Sequence, residues 1–191
     1  MKKNILVTGG LGFIGSNFIK YIFKNSPEYQ IINLDKVTYA ANISNLIDLP
    51  NSFYRHIKGD ICDKAILDNV FKEFNFDYVV NFAAETHVDR SIMGGAEFVQ
   101  TNTNGTYTLL DCAREYGVER FLQVSTDEVY GELSWEHDRR VNEEDSMRPT
   151  NPYSASKAAA EESQAGRAAS LAAASTRRPR ALHRARRRQA P

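Results

Sequence analysis

An α/β fold, a doubly wound parallel sheet covered by helices on both faces, is what this sequence predicts. Three observations predict it. Short apolar, often β-branched runs alternate with stretches of helical spacing, the pattern of strands joined by crossover helices. The first such run ends in a cluster of glycines that opens the first helical stretch. The second run ends in an acid, Asp35, 20 residues beyond Gly15.

The elements follow in order. Asn4–Thr8 is a short apolar run ending at glycine and reads as a buried parallel strand. Ile14–Lys24 carries Phe18, Ile19, Ile22 and Phe23 at helical spacing. Ile31–Asp35 is a second strand, and Phe53–Lys58 a third. Lys64–Phe74 repeats Ile66, Leu67, Val70, Phe71 and Phe74 on one helical face. Tyr78–Phe82 is a fourth strand, Glu97–Tyr116 a long helix, and Phe121–Ser125 a fifth strand. In Thr150–Lys157, Asn151 suits a helix N-cap and Pro152 the first helical position.

The chain's 191 residues are enough for one domain with a real core. Its formal neutrality conceals an asymmetry. Residues 1–162 hold 24 acids against 16 Lys and Arg, and the remainder holds eight Arg and no acid. After Tyr153 there is no further Phe, Trp, Tyr, Ile, Val or Met. The domain is therefore read as residues 1–162. Residues 163–191 form an Ala/Arg-rich tail with almost nothing to bury, disordered or foreign to the domain. Arginines without interleaved aromatics are a weak nucleic-acid signal, and no apolar run reaches membrane-spanning length. Neither a nucleic-acid nor a membrane partner is expected. Cys62 and Cys112 suggest no metal site and no disulfide framework, which points to a reducing, cytoplasmic setting.

Thr8-Gly9-Gly10-Leu11-Gly12-Phe13-Ile14-Gly15 lies between a strand and a helix. Glycines there permit a tight turn and let the backbone approach a pyrophosphate at the helix N-terminus. The spacing alone is weak; strand before and helix after give it meaning. Asp35, at the end of the second strand, would accept hydrogen bonds from ribose hydroxyls and repel a 2′-phosphate. NAD is thereby favoured over NADP on a Rossmann-type sheet.

Tyr153 and Lys157 stand one helical turn apart on one face. A tyrosine must fall from about 10 to about 7 to act as a base near neutrality, a change worth roughly 4 kcal/mol. A lysine charge at about 4 Å supplies roughly that amount at an effective dielectric of 20. The adjacent acids of Ser125-Thr126-Asp127-Glu128-Val129-Tyr130-Gly131 follow the fifth strand, and ligands gather at the carboxyl ends of such strands.

With TGGLGFIG, STDEVYG and YSASK in this order, the chain resembles the extended short-chain dehydrogenase/reductase family. Within it, the nucleoside-diphosphate-glucose 4,6-dehydratases are the closer likeness. Asp60-Ile61-Cys62-Asp63 and Ala83–Ser91 strengthen the match, which covers about residues 3–160 and not the tail. The resemblance implies that Gly9, Gly12, Phe13, Ile14 and Gly15 hold the NAD pyrophosphate. Asp35, Lys36, Val37 and Thr38 would surround the adenosine ribose, and Asp60 and Ile61 the adenine. Phe82, Ala83, Ala84, Glu85, Thr86 and Thr101 would line the rest of the cofactor. Thr86 and Thr126 would touch the sugar. Tyr153 would be the base that starts oxidation at C4, and Lys157 would bind the nicotinamide ribose. Glu128 would remove the C5 proton, and Asp127 would protonate the departing C6 hydroxyl. The product would be a 4-keto-6-deoxy sugar nucleotide, with dTDP-glucose the leading substrate. His87 is given no catalytic role, and Arg90 reads as a loop-stabilising ion pair rather than a ligand.

Two other readings share these motifs. A sugar-nucleotide epimerase or decarboxylase would use the same turn and Tyr-Lys pair but has no need of the acid pair. A dinucleotide-binding module without activity would use only the first half. The family's carboxyl-terminal substrate region has no counterpart here. The sheet is therefore expected to be incomplete on that side, with turnover by this chain alone and a family-like homodimer both unexpected.

Overall fold

The computed structural model describes residues 2–132 and 141–177. Five parallel strands form one sheet in the order β3-β2-β1-β4-β5. They are β1 (Asn4–Thr8), β2 (Gln30–Asp35), β3 (Tyr54–Lys58), β4 (Tyr78–Asn81) and β5 (Arg120–Gln123). The predicted fold class is the one observed. β1 lies centrally because Ile5, Leu6, Val7 and Thr8 can all be buried, which suits a strand covered on both faces.

Alternation along the strands sorts two cores. Leu6, Ile32, Leu34 and Val79 face one layer, formed by α2 (Lys64–Phe74) and α5 (Thr106–Glu115). Ile5, Val7, Ile31 and Val80 face the other, with Ile19 of α1 (Phe13–Asn25), Leu46, Phe53 and Tyr54. α2 starts where Asp63 accepts from the amides of Ala65 and Ile66, at 3.0 and 3.1 Å. It ends at Asn75, whose φ of 48° places it in the left-handed region.

The predicted long helix is present but not uniform. α4 (Ala96–Phe98) continues into a π-helical stretch, Val99–Gly105, and then into α5. A widened turn of this kind often marks a functional site. The stretch VQTNTNG has no apolar spacing from which the distortion could be read. Gly105 lets this helix close on Ile61, since a Cβ there would lie 2.7 Å from the Ile61 side chain. Short helices at Val88–Met93 (α3) and Ile43–Leu46, and a turn at Asp127–Tyr130, have no apolar periodicity and were not expected.

The fifth strand ends two residues early. Beyond Gln123 the backbone turns its Val124 carbonyl to Lys157. α6 (Pro152–Arg177) begins as expected, with the Asn151 side chain accepting from the Ser154 amide at 2.8 Å. It runs through the boundary expected at Glu162. The rest of the tail, 178–191, lies outside the described residues. Among the described residues no helix is long and apolar enough to cross a membrane.

Candidate active site

Register brings the carboxyl ends of three strands together. Thr8 pairs with Leu34 on one side and Asn81 on the other. The glycine turn, Asp35 and the segment after β4 therefore share one rim. Three consecutive amides of the turn are held by the last residues of β2. Gly9 N–H donates to the Leu34 carbonyl at 3.1 Å, Gly10 N–H to Asn33 Oδ1 at 3.0 Å, and Leu11 N–H to Asp35 Oδ2 at 2.9 Å. Asn33 is fixed in turn by its donation to the Tyr54 hydroxyl at 2.9 Å. Gly9 has a φ of +68°, and a Cβ on it would lie 2.6 Å from the Ala83 nitrogen, so a side chain is excluded twice.

The next amides begin α1. Its N-cap, Gly12, offers no side-chain acceptor, and the first turn holds no acid. A Cβ on Gly12 would meet only the Gly9 carbonyl, at 3.3 Å. Free amides, helix polarity and a missing side chain form a cradle that suits a pyrophosphate. Gly12, Phe13, Ile14 and Gly15 line this end of a cleft of about 380 Å³. The cleft continues past Asp35, Lys36, Thr38, Asp60 and Ile61. It then passes Phe82, Ala83, Ala84, Glu85, Thr86 and Thr101 to Tyr153 and Lys157. The expected cofactor residues are thus brought together, apart from Val37. That residue, at a φ of 60°, leaves the cleft wall and packs against the core of the α1 layer. Leu34, Ala40, Ala41, Gly59, Val124 and Ser125 also line the cleft and were not anticipated.

Asp35 does more than line the cleft. Its Oδ1 accepts from Val37 N–H at 2.8 Å while Oδ2 holds Leu11, so the carboxylate ties the turn to β2. Its remaining lone pairs are left for a ligand. Asp60 is anchored similarly. Its Oδ1 accepts from Cys62 N–H at 2.9 Å, and its Oδ2 pairs with Lys36 Nζ at 2.9 Å. Burial pushes the Asp60 carboxyl up, but the Cys62 amide and Lys36 outweigh it and hold it below its ordinary value.

Thr126, Asp127 and Glu128 stand beside the cleft rather than on its wall. Thr126 caps the turn, its hydroxyl accepting from Glu128 N–H at 3.3 Å. Asp127 is exposed, whereas Glu128 is partly buried and accepts from Asn151 Nδ2 at 3.2 Å. Tyr153 is buried above its ordinary pKa. Burial raises it, the Thr126 hydroxyl lowers it, and the Glu128 and Asp127 carboxylates raise it again. The lowering expected from Lys157 is not found. Lys157 gives its ammonium to the Val124 carbonyl at 2.6 Å, and burial pushes it down to about 8, opposed by Glu161. Glu161 accepts from the Ser125 hydroxyl one residue further on.

Asn102 was missed by the sequence reading. It lies in the π-helical stretch, 1% exposed, and clamps Glu85 through both backbone groups at 2.8 and 2.9 Å. It also donates to Ser156 Oγ of α6 at 2.9 Å. An asparagine inside a packed helix was the available signal, as Asn33 and Asn81 were inside apolar strands.

Fold and cleft together define a Rossmann-like α/β protein whose cleft runs from a glycine turn at one end to a tyrosine–lysine helix at the other. Residues 6–173 match the family model described as GDP-mannose 4,6 dehydratase, and the chain belongs to that family of extended short-chain dehydrogenases/reductases. The low-salt glycan biosynthesis protein Agl12 of Haloferax volcanii is 50% identical over 161 residues, 83% of this chain and 49% of the relative. The dTDP-glucose 4,6-dehydratase of Haemophilus influenzae is 49% identical over 166 residues, 82% of this chain and 48% of the relative. The chain spans about half the length of these curated relatives. Among solved structures, DesIV, a dTDP-glucose 4,6-dehydratase of Streptomyces venezuelae with NAD and TYD bound, superposes with a TM-score of 0.81 at 40% identity. That match covers 88% of this chain and 52% of DesIV. A UDP-glucose 4-epimerase of Thermus thermophilus in complex with NAD reaches 0.79 at 30% identity, covering 88% and 52%.

Proposed function

We propose that this chain is the NAD-binding part of a nucleoside-diphosphate-glucose 4,6-dehydratase, carrying its catalytic side chains and taking dTDP-glucose as substrate. The observation that carries the reading is the placement of the Thr126–Glu128 turn against Tyr153, at the end of a cleft that begins at the α1 N-terminus. NAD, when bound, supplies the hydride acceptor for oxidation at sugar C4 and the donor for reduction at C6.

The chain's own residues would do the rest. The α1 amides and Gly12 would hold the pyrophosphate, and Asp35 the ribose. Tyr153 would take the proton from the C4 hydroxyl. Its raised pKa means that a positive charge must first be brought to it, and Lys157, one turn away and buried, is the group placed to bring it. Glu128, steadied by Asn151, would remove the C5 proton made acidic by the C4 ketone. Asp127, exposed beside it, would give a proton to the C6 hydroxyl as it leaves as water. Thr86 and Thr126 would hold the sugar.

An epimerase would use the same cleft, and overall fold does not separate the two, with TM-scores of 0.81 and 0.79. The Asp127–Glu128 pair favours dehydration, because inversion at C4 needs no proton transfer at C5 or C6. Residues 1–162, fused ahead of the carboxyl-terminal half of the Haemophilus influenzae relative, provide the test. Conversion of dTDP-glucose to a product that has lost one water, and that carries solvent deuterium at C5 when the reaction is run in deuterated buffer, is the expected result. Glu128→Gln should abolish that deuterium incorporation. Inversion at C4 without loss of water would give the function to an epimerase.

A further inference from the structure

Lys36 follows Asp35 directly and lines the same end of the cleft. A lysine there is the group that a 2′-phosphate on the adenine ribose would use, so its presence runs against the preference for NAD that Asp35 implies. The fold resolves this conflict with Asp60. Its Oδ2 lies 2.9 Å from Lys36 Nζ, while Oδ1 is tied to the Cys62 amide, so the acceptor cannot swing away. The Asp60 side chain is 28% exposed and the Lys36 side chain 57%, so the carboxylate is the fixed partner and the lysine the one drawn in. Lys36 is held above its ordinary pKa, first by that hydrogen bond, so it stays charged while remaining occupied.

We propose that Asp60 is a second determinant of NAD over NADP, acting by keeping the Lys36 ammonium paired and so unavailable to a 2′-phosphate. This rests on the reading of the cleft as an NAD site. Asp35 and Asp60 line this end of the cleft with Lys36, and the Glu85 carboxylate also acts on that lysine, so the ribose end carries an excess of negative charge. A dianionic 2′-phosphate meets that excess, whereas a ribose hydroxyl does not.

The charge arithmetic makes a pattern that simple loss of structure would not reproduce. NAD and NADP are titrated separately into the 191-residue chain and its variants. Asp60→Asn keeps an oxygen for the Cys62 amide, removes the carboxylate and frees Lys36. The ratio of the NADP to the NAD dissociation constant should fall about fivefold, the scale of a partly exposed ion pair. Lys36→Met leaves Asp60 uncompensated, and the ratio should rise. The double variant Lys36→Met with Asp60→Asn restores the net charge, and the ratio should return near the unaltered value. A ratio unmoved by Asp60→Asn, or a fall that persists in the double variant, overturns the proposal while leaving the NAD site standing. Failure of the unaltered chain to bind NAD overturns the site and this proposal together.

Discussion

Lys157→Met tests how the buried ammonium of α6 is held. Lys157 is 4% exposed, and burial pushes its pKa from 10.5 to about 8, with Glu161 opposing. The folded state therefore binds fewer protons than the unfolded chain between about pH 8 and 10.5, and stability rises with pH across that window. The full difference is about 3 kcal/mol, of which about 2 kcal/mol appears between about pH 7 and 9.5. Methionine keeps the stem and removes the charge. Below about pH 8 it removes the burial penalty, but it also takes the charged donor from the Val124 carbonyl, leaving Gln123 Nε2 at 3.3 Å, at a cost of about 1.5–3 kcal/mol. The net change near pH 7 should be small, and the pH dependence is the signature. Urea unfolding of both proteins from about pH 7 to 9.5 isolates Lys157, since titrations shared by the two proteins cancel in the difference. The unaltered chain should gain about 2 kcal/mol relative to Lys157→Met over this range. A flat difference would show that Lys157 titrates in the folded chain as it does in water, and the argument from burial would fail.

Three further outcomes follow from particular contacts. Gly9→Ala should destabilise the chain by about 2–3 kcal/mol and remove NAD binding, because its Cβ meets the Ala83 backbone at a positive φ; thermal melting and NAD titration measure both. Asn102→Leu should cost about 2–3 kcal/mol, since it orphans the Glu85 backbone groups and takes a donor from the Ser156 oxygen; amide exchange at Glu85 should quicken more than at β1. Asp63→Ala should cost about 1 kcal/mol by uncapping α2, and it should leave NAD affinity unchanged because the Asp63 side chain turns to the α2 amides and is not among the residues that line the cleft.

The elements were legible wherever burial repeats with a local period. Leu67, Val70 and Phe71 on α2, and the all-apolar interior of β1, announce helix and strand because each buries one face or both. The glycine turn was legible because backbone approach demands residues without a Cβ at Gly9 and Gly15. Asn151 could be read as a helix cap, but not as the partner of Glu128 across 23 residues. Asn102 could be noticed only as a polar residue inside a helix; its role could not be read, since it depends on Glu85 and Ser156 arriving from other parts of the chain.

From the sequence alone, the order of strands and helices, the glycine turn, the acid at the end of β2 and the tyrosine–lysine spacing were determined, because each depends on neighbours within a few turns of chain. Only the tertiary structure decided which charge meets which. It gave Lys157 to the Val124 carbonyl, Lys36 to Asp60, and Glu161 to Ser125. It also set the directions in which Tyr153 and Lys157 titrate, both dominated by burial. Desolvation and ion pairing depend on what packs around a group in three dimensions, and residue spacing along one helix carries no record of that.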